Sequence, residues 1–178
     1  LWNWREQREK KGFLALADGT IFRGHSIGAP VDALGEAVFN TGLSGYQEIL
    51  SDPSYSGQFV TMTYPEIGNT GLNAEDGESG RLYASGFLIY ENNRPSNWRS
   101  QMSLSEARRA QDIPGLAGID TRALTSLLRD RGTQRAFLCA TGTVGEKEAV
   151  ERAKAWCGLD GQDYAARVTC AEPYRWDP

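Results

Sequence analysis

The chain has one histidine, His25, and three cysteines, Cys139, Cys157 and Cys170, none close to another. Those shortages exclude most familiar catalytic and metal-binding arrangements. A closed zinc site takes four thiolate or imidazole ligands at compact spacing, and no C-x-x-C pair is present. An even, closely spaced cysteine set would mark a disulfide framework. Three distant cysteines do not, and they suit a reducing, cytoplasmic compartment. A thiol nucleophile needs a base within hydrogen-bond reach, and a single histidine allows one such dyad at most. No cysteine stands in a G-x-C-x-G elbow. The cysteines therefore read as small buried apolar groups, and His25 as a surface or hairpin-end residue.

Other absences narrow the classes further. There is no G-x-x-x-x-G-K-[ST] or G-x-G-x-x-G cradle for phosphates. The segment "GTVGEKE" (Gly142–Glu148) lacks the hydroxyl after Lys147 that would hold magnesium. Glu75, Asp76 and Glu78 sit together without the EF-hand spacing, and read as a solvated loop. No apolar run approaches the roughly 20 residues of a membrane span. No apolar signal core opens the chain. Lys and Arg total 19 against 23 Asp and Glu, a net charge of −4. That balance speaks against nucleic-acid binding, which needs a basic face. The one basic cluster, Arg5, Arg8, Lys10 and Lys11, is interleaved with Glu6 and Glu9 and reads as a solvated helical tail.

What is present suits a folded domain. The 178 residues are 40% hydrophobic and 24% charged, and a chain of this length buries roughly 70% of its unfolded surface. Residues 1–12 form a polar lead-in. "FLALADGTIFRG" (Phe13–Gly24) predicts a hairpin turning at Asp18-Gly19, a pair suited to a type I′ turn. Strands are expected over Glu36–Thr41, Gln58–Tyr64, Arg81–Tyr90 and Arg135–Thr141, and "GLAGI" (Gly115–Ile119) is a short apolar run. Ser44 with Gln47, and Ser103 with Glu106, have capping-box spacing. Asp120 should cap a helix carrying Leu124, Leu127 and Leu128, stopped at Gly132. A last helix carries Ala149, Val150, Ala153 and Trp156 on one face, and "ARVTC" is a short strand candidate. Strands dominate the first half and strand–helix alternation the second, which predicts a mixed, layered α/β domain.

One stretch, "NTGLSGYQEILSDPSYSGQ" (Asn40–Gln58), has the Gly, Ser and Tyr content of an active-site loop but no nucleophile or acid–base pair. Together with "ADGTIFRGHSIGA", "YPEIGNTG", "GLAGIDTRALTSLLRDRG" and "VTCAEPYRW", it closely resembles the N-terminal half of the small subunit of glutamine-dependent carbamoyl-phosphate synthetase. The resemblance runs from about Phe13 to Arg135 and resumes near the end.

The resemblance implies a three-layer β/β/α swivelling domain with mixed sheets over residues 13–170. Residues 171–178 would begin a linker to a class I glutamine amidotransferase domain bearing a Cys–His–Glu triad. Catalytic residues are then expected elsewhere, and this chain alone is expected to be inactive. Partners would be that domain, glutamine and the large subunit, in a heterodimer supplying ammonia for carbamoyl phosphate in pyrimidine and arginine synthesis. ATP and magnesium would belong to the large subunit, leaving no cofactor here. The family's serine after Asp-Pro and before Tyr falls on Ser54, as a ligand of glutamine. On residue chemistry alone, Ser54 reads as a turn residue after Pro53, and it is the resemblance that makes it a ligand. Tyr46, Gln47, Tyr55, Tyr64, Pro65, Gly68 and Asn69 also lie in the strongest motifs. They would either face the partner or hold this domain's own loops together. A stand-alone binding module of the same fold is the other reading. The polar lead-in and the less hydrophobic "SEARRAQDIPG" depart from the family pattern, and that helix is expected to be marginal.

Overall fold

The computed structural model describes residues 8–175. The first seven residues of the expected lead-in and the last three of the expected linker lie outside that range. In chain order the elements are strands β1 (Lys11–Leu16), β2 (Ile21–Gly28) and β3 (Ala33–Asn40), helix α1 (Tyr46–Ser51), a 3-10 turn (Pro53–Tyr55), then β4 (Gln58–Met62) and β5 (Glu66–Ile67). They continue with β6 (Gly86–Leu88), β7 (Glu91–Asn92), α2 (Leu104–Ala110), β8 (Pro114–Ala117) and α3 (Thr121–Arg131). The series ends with β9 (Gln134–Cys139), α4 (Glu146–Ala155) and α5 (Tyr164–Val168). No described helix is long and apolar enough to cross a membrane.

Seven strands close into a barrel in the order β1-β2-β8-β6-β4-β3-β9, with β9 pairing back onto β1. The run β3-β4-β6-β8 is parallel and the remaining pairings are antiparallel. Strand alternation sends one set of side chains inward. Leu14, Leu16, Phe59, Leu88, Leu116, Ala136 and Leu138 meet in one cluster, joined by Leu124 and Leu128 of α3. The other faces carry two further clusters. Ala15, Phe137 and Cys139 pack against Ala149, Val150 and Ala153 of α4. Val38, Val60, Met62 and Phe87 pack with Tyr46 and Leu50 of α1 and Leu104 and Ala107 of α2. The result is a mixed α/β domain with helices outside facing sheet walls, in keeping with the three-layer expectation. Phe59 fits inside because its neighbours are small. A Cβ at Gly86 would lie 2.5 Å from its Cδ1, and one at Gly35 2.7 Å from its Cε1.

Local physics accounts for the departures from the expected elements. The β1–β2 hairpin forms, but its turn is not type I′. Only Gly19 has positive φ (95°), Asp18 does not, and the Asp18 carboxylate accepts the Thr20 amide at 2.8 Å. Gly19 N–H donates to Leu16 O (3.0 Å) and Leu16 N–H to Thr20 O (2.9 Å), the three-residue loop with a glycine bulge. The strand expected over Arg81–Tyr90 shrinks to β6, because the amides of Tyr83 and Ala84 donate instead to Leu50 O at the end of α1. "ARVTC" is not a strand. Asp163 accepts the Ala166 amide at 2.9 Å and caps α5 there. The capping box of Ser103 and Glu106 forms in both directions, so α2 is well started despite its polar sequence. Asp120 caps α3 and Gly132 follows it in a positive-φ conformation, as expected.

Candidate functional site

The parallel pairing of β3 and β4 requires a crossover, and Asn40–Gln58 supplies it. Helix α1 covers the outer face of the sheet through Tyr46 and Leu50. It stops at Asp52, which is extended (φ −73°, ψ 120°), as a residue before proline tends to be. The Asp52 carboxylate then accepts the Ser54 amide at 2.8 Å, and Pro53 occupies the first position of the 3-10 turn, where its missing N–H costs nothing. Ser56 N–H closes the turn on Pro53 O at 3.1 Å. Gly57 (φ +85°) turns the chain into β4. Ser54 is thus exposed at the start of β4, its backbone fixed by Asp52. Its hydroxyl has no partner among the described residues. Tyr55 is tied back to the end of β3, its hydroxyl accepting from Asn40 Nδ2 at 3.0 Å.

Of the other motif residues, Tyr46 and Gln47 direct their polar groups into the domain. Tyr46 is buried. Its hydroxyl donates to Gly71 O and accepts from Thr70 Oγ1, both at 2.8 Å, and burial pushes its pKa up. Gln47 does not form the expected capping box with Ser44, since the N-cap of the helix is Gly45 (φ 78°), with no side-chain cap. It grips the backbone of Asn73 instead. Tyr64 is half-buried against the cluster containing Tyr46. Gly68 (φ +94°) lies where a Cβ would come within 2.8 Å of Asn93 O. Asn69 O accepts the Ser96 amide at 2.9 Å. The loop after β5 is braced by Asp76, which takes bonds from Asn73 Nδ2 (2.7 Å) and Arg99 Nη2 (2.8 Å). Those bonds, Asn73's first, hold its carboxyl below the usual range. Tyr46, Gln47, Gly68 and Asn69 therefore gather around one loop, while Ser54 is exposed on its own turn and Tyr55 of that turn packs against the cluster that holds Tyr46.

Several other features bear on chemistry. Gly24-His25-Ser26-Ile27-Gly28 has the G-x-S-x-G residue order of a nucleophile elbow. It lies wholly within β2, with Ser26 buried and paired to Leu116, so it lacks the exposed strand-to-helix turn such a serine needs. Of the cysteines, Cys139 is buried as expected, but Cys157 and Cys170 are exposed. They follow α4, where the chain has left the core. Among the described residues no group of three or more His, Cys, Asp or Glu could hold a metal ion. A cavity of about 700 Å³ opens beside Thr63, Tyr90, Ile119 and Arg122, past the carboxyl ends of β4, β6 and β8. Ser54, before the amino end of β4, does not line it.

The order of these parts can be compared with known proteins. The family profile described as "Carbamoyl-phosphate synthase small chain, CPSase domain" matches residues 14–138. The chain belongs to the carbamoyl-phosphate synthase small-chain family. It is 51% identical over 170 residues to the carbamoyl phosphate synthase small chain of Pseudomonas aeruginosa, covering 94% of this chain and 44% of that one. The corresponding small chains of Photobacterium profundum and Vibrio cholerae are 51% and 50% identical over the same shares. The chain thus spans less than half the length of these relatives. The matched span contains the barrel from β1 into β9 and the Asn40–Gln58 crossover. It leaves out α4, α5 and the segment between them.

Proposed function

We propose that this chain is the N-terminal domain of the small subunit of a glutamine-hydrolysing carbamoyl-phosphate synthase, and that Ser54 is its contribution to the glutamine site. In that role the domain docks a class I amidotransferase domain and the large subunit. It thereby supports delivery of ammonia for carbamoyl phosphate, a precursor in pyrimidine and arginine synthesis. ATP and magnesium act on the large subunit, and no cofactor is assigned to this chain. The observation that carries the reading is the Ser54 turn: an exposed hydroxyl without a partner among the described residues, on a backbone fixed by Pro53 and by the Asp52–Ser54 bond. A hydroxyl can donate to the α-carboxylate of glutamine or accept from its α-ammonium. Leu43, 73% exposed in the same crossover, adds apolar surface suited to an interdomain contact. No nucleophile belongs to the turn, so it acts as one wall of a site completed by the second domain.

Ser54→Ala in the full two-subunit enzyme tests this. A hydrogen bond to a charged group contributes about 1.5–3 kcal/mol, so the KM for glutamine should rise roughly tenfold or more. Ammonia-dependent synthesis, which bypasses the glutamine site, should keep its rate. Unchanged glutamine kinetics would remove Ser54 from the pocket.

A further inference from the structure

We propose that the segment after α4, residues 157–168, is a strap that positions the Ser54 turn, with Tyr164 as the positioning residue. The inference rests on Ser54 being a glutamine ligand, and it concerns residues that the family profile does not reach.

Gly57, three residues after Ser54, is where the strap meets the turn. Its N–H donates to Ser85 Oγ at 2.9 Å, and its carbonyl accepts the Glu36 amide at 3.0 Å. Its positive φ (+85°) favours glycine. The third side is packed by the strap. A Cβ on Gly57 would lie 2.6 Å from Leu159 Cδ2, 2.6 Å from Tyr164 Cζ and 2.7 Å from the Tyr164 hydroxyl. The tyrosine therefore lies flush against bare backbone. Contact this close transmits displacement, because packed groups cannot move independently.

The strap is itself held at both ends. At its root, Arg135 of β9 donates from Nη1 to Lys154 O (3.0 Å) and Trp156 O (2.8 Å). In between, Gln162 N–H donates to Leu159 O at 3.1 Å. At the far end Asp163 caps α5, the Arg167 guanidinium lies 4.7 Å from the centre of the Tyr164 ring, and Arg81 Nη2 donates to Arg167 O at 3.0 Å. Tyr164 makes no side-chain hydrogen bond among the described residues, so its ring acts by packing. Asp52 and Pro53 fix the turn from within. The strap fixes where the turn sits on the barrel, and a small misplacement of a binding group costs a large part of its effect.

The test uses the full two-subunit enzyme with Tyr164→Ala, Tyr164→Phe, Ser54→Ala and the Ser54→Ala/Tyr164→Ala double variant. Tyr164→Ala should raise the KM for glutamine by about threefold to tenfold, bounded by loss of the Ser54 bond itself, with kcat little changed. Tyr164→Phe, which keeps the ring, should restore the normal KM. In the double variant Tyr164→Ala should add almost nothing to Ser54→Ala, because residues acting through one contact are non-additive. A raised KM in Ser54→Ala with a normal KM in Tyr164→Ala overturns the strap and spares Ser54. Effects that multiply in the double variant also overturn it. A normal KM in Ser54→Ala removes the reading on which the strap depends. The ammonia-dependent rate monitors folding and assembly. If Tyr164→Ala loses it, Arg81→Ala, which frees the strap from Arg167, is measured in its place.

Discussion

The side-chain amide of Gln47 closes two hydrogen bonds on the backbone of Asn73. Nε2 donates to its carbonyl oxygen at 2.6 Å and Oε1 accepts its N–H at 3.0 Å. Asn73 in turn holds the following loop, its Oδ1 accepting the amides of Glu75 (2.8 Å) and Asp76 (3.0 Å). One side chain on α1 therefore organises a loop more than twenty residues away. Gln47→Ala leaves a partly buried N–H and C=O unpaired, which costs about 1–3 kcal/mol. Gln47→Glu keeps the acceptor but turns an oxygen toward the Asn73 carbonyl, so it should not rescue. Denaturant unfolding of the two variants checks both statements. Stability equal to wild type in Gln47→Glu would show that the donor half of the clamp contributes nothing.

Arg108 gives a prediction of opposite sign. It is fully buried on α2 and its guanidinium donates to Pro114 O, yet Nε and Nη1 have no partner among the described residues. Its charge lies 5.6 Å from the centre of the Phe87 ring. The guanidinium occupies the space that a Cβ on Gly115 would fill. Burial pushes the group down to about 9, so it is still charged at pH 7. The folded form binds that proton less well than the unfolded chain, and the penalty is relieved only as pH rises above about 9. Replacing buried charge by apolar side chains of similar volume often stabilises by about 1–4 kcal/mol. Arg108→Met should accordingly raise the melting temperature at pH 7. A fall would show that the bond to Pro114 outweighs the desolvation.

How far the sequence disclosed this structure depends on the range of the forces. Local signals were reliable where a side chain answers its own backbone: Ser103 with Glu106, Asp120 capping α3, and Gly132 ending it. They misled where a distant backbone competed. Gln47 has capping-box spacing to Ser44, yet Asn73 takes both its hydrogen bonds. The end of α1 likewise takes the amides of Tyr83 and Ala84 from the expected strand. Closure of the barrel through β9 and β1 was not legible, since strand pairing across more than a hundred residues leaves no local pattern. The Ser54 turn was visible as Asp-Pro-Ser-Tyr, because proline and a capping carboxylate act within three residues. Its contact with Tyr164 was not, because it is packing between segments far apart in the chain. The only sequence hint was Gly57 itself, a glycine just before a strand.

His25 should impose a pH dependence on stability. It is half-buried on β2, beside Gly118, where an added Cβ would lie 2.8 Å from its Nδ1. Burial, reinforced by the charge of Arg8 and opposed by Glu91, lowers its pKa below 6.5. Between its folded value and 6.5, the unfolded chain binds a proton that the folded chain does not. Stability therefore rises with pH in that window and is lost as pH falls through 6.5. The lowered carboxyls of Asp18, Asp76 and Glu106 also favour the folded state at higher pH, but their loss sets in only as they protonate, below about 5. A decline in melting temperature between pH 7.5 and 5.5 therefore isolates His25. His25→Gln, neutral throughout, should flatten that decline while leaving the loss below pH 5 in place. An unchanged slope in His25→Gln would assign the pH dependence to other groups and place His25 in a solvent-like environment.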